Sequence, residues 1–549
     1  MDSMPRPLEV MRRFYCVIAL AAVLFTAPAF GASQQDRDDC DAKDADRSIA
    51  GCTRIIEDKG ETDKSRVEAY KSRARAWRSK RDYDRAIADF TEAIRVDPQN
   101  VDAYQGRAIT LRRKGDYDRA IEDLSEAIRL DPKDDVSYNN RGIVYEERKD
   151  YDRAIQDYSE AIKLNARNGS AFRNRGDVYL KKREFDRAVQ DYSDAIRINP
   201  KDDVAYNRRG NAWLRKGDPD RAIADYSQAI RLDPKDADYY SNRAKAWDDK
   251  RDYDSAIADY THAIRLEAND RSFHYYKRGV AWYNNRDSDR AISDFTEAIR
   301  LDPKYASAFG FRGMAYERKG DVDHAFSDYS EAIRLEPEKG VHFKNRGDAY
   351  LLKDAFDRAI EDYSEAIRLD PKWAPAVIER GNAYRKRGDY DRAIADYTEA
   401  IRLDPKNLKL YSSRGAANFY KGDFTAAAAD FVRNLDDTEM LWLYLARGHG
   451  GEDGAAELSA NAARLKDKDK SWPYPIIDFY LGRRSADEML SEGPEPGEQC
   501  EAHFFLGEWQ LLRGNKADAK SAFQAAVDVC PKMFLVYDGA VAELKRLNR

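Results

Sequence analysis

Histidine is scarce in this chain, six residues in 549. They stand at His262, His274, His324, His342, His449 and His503, and no two lie at metal-ligand spacing. A zinc-protease helix needs two histidines four apart with a glutamate beside the first, and that arrangement is missing. Also missing are a G-x-S-x-G nucleophile elbow and a phosphate-cradling glycine loop ending in Lys-Ser/Thr. Residues 448–454 are glycine-rich but lack the Lys-Ser/Thr, so they read as a plain loop. Carboxylates are abundant but recur on repeating polar faces, which singles out no catalytic pair. These absences predict a chain that is not an enzyme and holds no metal and no cofactor.

An excess of either charge is lacking too. Lys and Arg number 94 against 100 Asp and Glu, for a net charge of −6, although 35% of residues are charged. A nucleic-acid partner calls for a basic face, and here both signs are interspersed, so no nucleic acid is expected. Aromatics, by contrast, make up 11%, far more than a disordered chain carries.

Long apolar runs are confined to residues 14–25, behind Arg12 and Arg13 and ahead of the small residues at 27–32. That run falls short of the ~20 residues a membrane helix needs, and its order of charge, apolar core and small residues is that of a signal peptide. Residues 1–31 therefore read as an export signal cut after Ala29 or Gly31, placing the protein across the inner membrane, periplasmic or extracellular. The alternative is an anchor formed by an uncleaved N-terminal segment. No membrane span is expected in the mature chain. Cysteine is sparse, five in all, and Cys16 leaves with the signal. The other four fall into two local couples, Cys40 with Cys52 and Cys500 with Cys530, which an oxidising compartment turns into disulfides. Zinc is the rival reading and lacks the close paired spacings.

What the chain has in quantity is repetition. Residues 115–132 read GDYDRAIEDLSEAIRLDP, 217–234 read GDPDRAIADYSQAIRLDP and 388–405 read GDYDRAIADYTEAIRLDP. The step is 34 residues, marked by Ala86, Ala120, Ala154, Ala188, Ala222 and Ala256, then after one extra residue by Ala291, Ala325, Ala359 and Ala393. A fixed period of this size means one supersecondary unit stacked many times. Tyr104, Ala108 and Leu111 share one helical face, and Ala120, Leu124 and Ala127 another. Gly115 stops the first helix, Asp116 caps the second, and Pro132 ends it. Pro219 fits a first helical turn. The small residue of each first helix (Gly142, Gly176, Gly210) is expected to face the alanines of the second.

The order Tyr206, Gly210, Trp213, Ala222, Tyr226, Ala229, Pro234 resembles the tetratricopeptide repeat. Ten good repeats run through residues 67–407, an eleventh from 408 has Asn418 in place of the second aromatic, and residues 500–534 fit again. The resemblance implies an all-α fold, an α-solenoid in which antiparallel helix pairs wind into a right-handed superhelix, closed by a small C-terminal helical module. The expected domains are the signal at 1–31, an N-terminal capping half-repeat at 32–66, and a tandem array of about eleven repeats at 67–441. A degenerate helical or linker region at 442–499 follows, then a C-terminal repeat-like unit and capping helix at 500–549. Solenoids of this kind need caps because end repeats lack a neighbour, and the two cysteine couples sit at those ends.

Two series go beyond the motif. An arginine precedes every small residue of the first helices, from Arg73 to Arg414, and an aspartate precedes the large apolar residue of every second helix, from Asp89 to Asp430. Equal numbers at the edges of packing stripes predict an ion-pair ladder. The second series is local. In the tetratricopeptide repeat family, first helices line a concave groove. Its places hold Asp238, Ser241, Lys245 and Asp248 in one repeat and Phe273, Tyr276, Val280 and Tyr283 in the next, followed by Met314, Val341, Leu351 and Leu352. An apolar stripe there reads as a peptide-binding groove, or equally as packing between repeats. At the N-terminal end the same places are basic, with Lys71, Arg75, Arg78, Arg112 and Arg113, which suits an acidic segment or a plain solvated face. Together these predict a non-catalytic scaffold or adaptor in the periplasm or envelope that binds a protein or extended peptide. Cell-envelope enzymes are a partner class that the family resemblance suggests. The alternative is a homo-oligomeric structural spacer without a guest.

Overall fold

The computed structural model describes residues 32–267, 271–465, 471–531 and 534–548, so the signal read at 1–31 lies outside them. Among the described residues there are thirty-one helices and no strand. The helices gather into two compact bodies, Met1–Glu267 and Ala268–Arg549.

Each repeat is a hairpin built by local chemistry. In residues 101–134 the first helix, Val101–Lys114, ends on Gly115 in the left-handed region at φ 89°, and Asp116 caps Tyr117–Leu130 by accepting from the Arg119 N–H. Pro219 opens Pro219–Leu232 at the position where its missing N–H costs nothing. Where repeats lack glycine at the turn, Arg81, Lys149, Arg183, Arg251, Arg286 and Asp354 adopt positive φ between 55° and 64°. The turn geometry is therefore imposed by the hairpin, not by glycine alone.

The first body begins with the pair Gln34–Cys40 and Ala45–Glu57, drawn together with Cys40 and Cys52 at disulfide geometry and their Cα atoms 4.5 Å apart. Asp63–Ser79 then starts the regular repeats, four residues ahead of the boundary read at 67, because Thr62 supplies its N-cap. Within a repeat the first-helix glycine faces the aromatic ring of the second helix, not its alanines as read above. A Cβ on Gly142, Gly176 or Gly210 would sit 2.7, 2.8 or 2.6 Å from a ring carbon of Tyr158, Tyr192 or Tyr226. Those rings are wholly buried, and small apolar clusters such as Tyr145, Ala154, Tyr158 and Val178 join each repeat to the next. No long-range core is needed, which is the energetic signature of a solenoid.

The second body carries regular repeats as far as Phe424–Phe431 and then changes character. Residues 416–540 share the largest apolar core, with Trp442, Ile476, Ile477, Phe504 and Phe523 buried in it. The stretch 442–499, read as a degenerate helical or linker region, is partly helical and contributes core. The boundary at 441 falls inside the helix Asp437–His449, which also runs through Gly448 and His449, read above as loop. Pro496–Leu512 and Lys516–Val529 form the last hairpin, with Cys500 and Cys530 at bonding distance across it, and Leu535–Leu547 follows.

Candidate functional site

Most charge in this protein is structural. In each of eleven repeats the first-helix arginine clasps the second-helix aspartate of the same hairpin, from Arg73–Asp89 to Arg414–Asp430. The aspartates are buried, with 3–7% exposure. A free Nη1 then reaches back one repeat, as Arg107 does to Thr91 at 3.0 Å and Arg209 to Ser193 at 2.9 Å. A second series pairs the last-turn cation of a first helix with the first-turn aspartate of the hairpin before, as Lys114–Asp84 at 2.5 Å and Lys421–Asp391 at 2.7 Å. Placed near an N-terminus, that aspartate also meets the positive end of its helix. Neither series offers a site to a ligand.

The apolar groove residues separate into two environments. Tyr276, Val280 and Tyr283 pack partly buried against the Ala291, Phe295 and Ala315 cluster together with Phe311. The Tyr276 ring lies 4.8 Å from that of Tyr305 and 5.6 Å from that of Phe311. Burial pushes its phenol up. The guanidinium of Arg318 stacks on the Tyr283 ring at 3.4 Å. Met314 joins the next cluster and Leu351 the one after. Left open to solvent are Phe273, Val341 and Leu352, exposed by 36, 45 and 63%. Packing between repeats thus claims the tyrosines, and three separate apolar side chains face water.

The basic residues separate likewise. Lys71 is 3% exposed and lies 3.0 Å from Glu68 and 3.1 Å from Asp102, so it belongs to the framework. Arg112 is paired with Glu147 at 3.0 Å. Arg75 and Arg113 stay exposed, and Arg78 lies half-buried between the two first helices, donating to the Gly106 carbonyl at 3.5 Å.

A buried polar cluster in the second body escaped the sequence reading. Glu508 is fully buried within an apolar run and meets His449 Nε2 at 2.8 Å. Glu543, 2% exposed, pairs with Arg546 at 2.8 Å, and burial together with the nearby Glu508 charge pushes its carboxyl up to about 7. Asp538 pairs with Arg385, the Tyr420 hydroxyl donates to the Leu535 carbonyl at 2.9 Å, and Arg546 donates to the Tyr420 carbonyl at 3.1 Å. These bonds hold Leu535–Leu547 against Ala374–Arg387 and Lys409–Lys421, over a cavity of about 320 Å³ lined by Phe356, Tyr390, Tyr537, Val541 and Lys545. A lone glutamate between Phe504, Phe505, Trp509 and Leu512 was the available signal. Among the described residues, no three His, Cys, Asp or Glu side chains are grouped to hold a metal ion. No described helix is long and apolar enough to cross a membrane.

Four family models match. One, described as TPR repeat, covers residues 176–217 and 381–427. Three described as tetratricopeptide repeat cover 72–135 and 276–340, 136–168 and 204–236, and 237–270 and 345–372. Among solved structures, a tetratricopeptide repeat protein from Parabacteroides merdae is 19% identical over 45% of this chain and 98% of its own, with a TM-score of 0.37. Yeast Tom70 is 17% identical over 77% of this chain and 100% of its own, at 0.38. YrrB, described as a TPR protein with an unusual peptide-binding site, is 24% identical over 34% of this chain and 95% of its own, at 0.29.

Proposed function

The chain belongs to the tetratricopeptide repeat family, and on that premise we propose that it is a non-catalytic adaptor holding a protein or extended peptide in the periplasm or cell envelope. As a repeat scaffold its role is protein–protein interaction. The finer reading rests on one observation: Phe273, Val341 and Leu352 stay in water on first helices where Tyr276, Val280, Trp282, Tyr283, Tyr350 and Leu351 are taken up in packing. Isolated apolar residues on a protein surface are ordinary, but Phe273 and Val341 hold the same place two repeats apart and Leu352 ends the Val341 helix, a set that an apolar partner segment would use. Export is supported by the leader-like order of residues 1–31 and by the two cysteine couples at bonding distance.

The test is capture from envelope extract by the mature protein, compared with a variant carrying Phe273→Ser, Val341→Ser and Leu352→Ser. These side chains are exposed, so helicity and melting should hold while capture falls at least tenfold. Equal capture by both proteins defeats the groove assignment. Light scattering addresses the spacer alternative, since a stable homo-oligomer that the same three substitutions dissolve would replace the adaptor reading.

A further inference from the structure

Cations in this protein are mostly answered where they stand, by the eleven buried aspartates, by first-turn aspartates one hairpin back, or by a glutamate three residues earlier, as Arg95–Glu92 and Arg129–Glu126. Against that background the inner edge of the first two regular repeats is an exception. Arg75 and Arg78 lie three apart on Asp63–Ser79, hence on one face. Arg78 extends across to the Gly106 carbonyl of Val101–Lys114, the helix that carries Arg113 in its last turn. Among the described residues, none of these three guanidiniums has a carboxylate within ion-pair distance. Burial and the like charges of Arg113 and Arg75 all pull Arg78 below its usual value, so the repulsion between them is not relieved inside the molecule.

Beside this trio the surface is hollowed. An open cavity of about 340 Å³ lies between the N-terminal hairpin and Asp63–Ser79, lined by Ser72, Arg75, Ser79 and Lys43, with Asp41 as the carboxylate on its rim. One repeat further on, the places that hold Arg75, Arg78 and Ser79 hold Ile109, Arg112 and Arg113, and the next repeat has Ile143, Glu146 and Glu147. The positive field is therefore short, about two repeats long, and beyond it Glu147 and Glu146 are already paired with Arg112 and Lys181.

We propose that this end of the inner face seats a short acidic stretch of a partner polypeptide, whose side-chain carboxylates are gripped by Arg75, Arg78 and Arg113. The proposal rests on the adaptor reading and adds the chemistry of the guest. Guanidinium forks match carboxylates two bonds at a time, which ammonium groups cannot do. Three forks take more than one carboxylate, so the guest offers several acidic side chains, not a single chain terminus. A nucleic-acid strand is disfavoured by the same shortness, since its evenly charged backbone would outrun a field of three arginines.

The experiment titrates the full mature chain against fluorescein-labelled octaglutamate amidated at its C-terminus, in 50 mM salt, by anisotropy. Saturable binding is expected, weakening about tenfold by 200 mM salt because the contacts are ionic. Arg78→Gln with Arg113→Gln should weaken it at least tenfold, while Arg95→Gln with Arg129→Gln should leave it within twofold. Arg78→Lys with Arg113→Lys should fall between, since charge is kept and the fork is lost. Circular dichroism verifies that each variant is folded. No saturable binding, equal binding by the Arg78/Arg113 variant, or tighter binding of an octathymidine strand would each overturn the proposal. The adaptor reading is judged separately, by the Phe273, Val341 and Leu352 variant, so its failure is distinguishable.

Discussion

Arg175 donates two parallel hydrogen bonds to Asp191, at 2.8 Å from Nε and 2.7 Å from Nη2, and a third from Nη1 to Ser159 of the preceding repeat at 2.9 Å. One side chain thereby ties the two helices of a hairpin and the hairpin to its neighbour. Asp191 is 3% exposed. Removing the arginine would strand a buried carboxylate, whereas removing both charges leaves nothing stranded. Such pairs fix register more than they add stability.

Arg175→Ala should accordingly cost about 3 kcal/mol, and Arg175→Met combined with Asp191→Leu should recover most of it. Because contacts in a solenoid are with neighbours, the loss should be local. Hydrogen exchange should show lost protection around residues 169–198, with distant repeats unchanged. By comparison Lys114→Ala, which removes an exposed pair with Asp84, should change stability by less than about 0.5 kcal/mol.

Lys149 and Arg183 close their hairpins at φ 63°, a region that penalises a Cβ, where equivalent repeats have Gly115 and Gly217 at φ 89° and 90°. Lys149→Gly with Arg183→Gly should raise stability by roughly 0.5–1 kcal/mol per site, read as a higher melting temperature. Unchanged or lower melting would show that the side chains of Lys149 and Arg183 matter more than their backbone.

Glu543 gives the second body a pH dependence. Its carboxyl, near 4.5 in an unfolded chain, is pushed up to about 7 when Leu535–Leu547 is docked. The folded state therefore holds a proton that the unfolded chain has released. Stability is full below about pH 4.5 and declines as pH rises through 7, by roughly 2–3 kcal/mol. The groups facing it are Glu508, which raises it further, and Arg546 and His449, which oppose. Glu543→Gln should melt higher than the parent at pH 8 and alike at pH 5.

Cys40 and Cys52 close a loop with a sequence separation of 12 between Gln34–Cys40 and Ala45–Glu57. That pair has little apolar core of its own, chiefly Ile55 beside the cysteines, with Ala69 of Asp63–Ser79 packed against it. Cys40→Ser with Cys52→Ser should lower the stability of this cap by about 3 kcal/mol. Limited proteolysis should then cut residues 34–57 first, leaving the later repeats intact.

How far the fold was legible depends on where each contact partner lies in the chain. Ala120, Leu124, Gly115, Asp116 and Pro219 act through residues within the same hairpin, so their spacing announced helices, turns and caps. The ladder was legible for the same reason, because Arg175 and Asp191 are sixteen residues apart in every copy. Other residues were not readable in this way. Tyr276 was either groove or core until Tyr305 and Phe311 were seen against it, and Lys71 looked like a free cation until Asp102 was seen to neutralise it. The stretch 442–499 left helix and linker both open because its core partners are not repeated at any fixed spacing.

The amino-acid order by itself thus determined the hairpin, its period and the charges that lock it, since all of these are settled by neighbours within one or two helices. Only the tertiary structure decided which first-helix side chains stay open, that Phe273 does while Tyr276 packs against Tyr305 and Phe311. It also decided that Glu508 and Glu543 are buried near one another. Exposure is the remainder after packing, and packing partners drawn from other helices leave no periodic trace in the sequence.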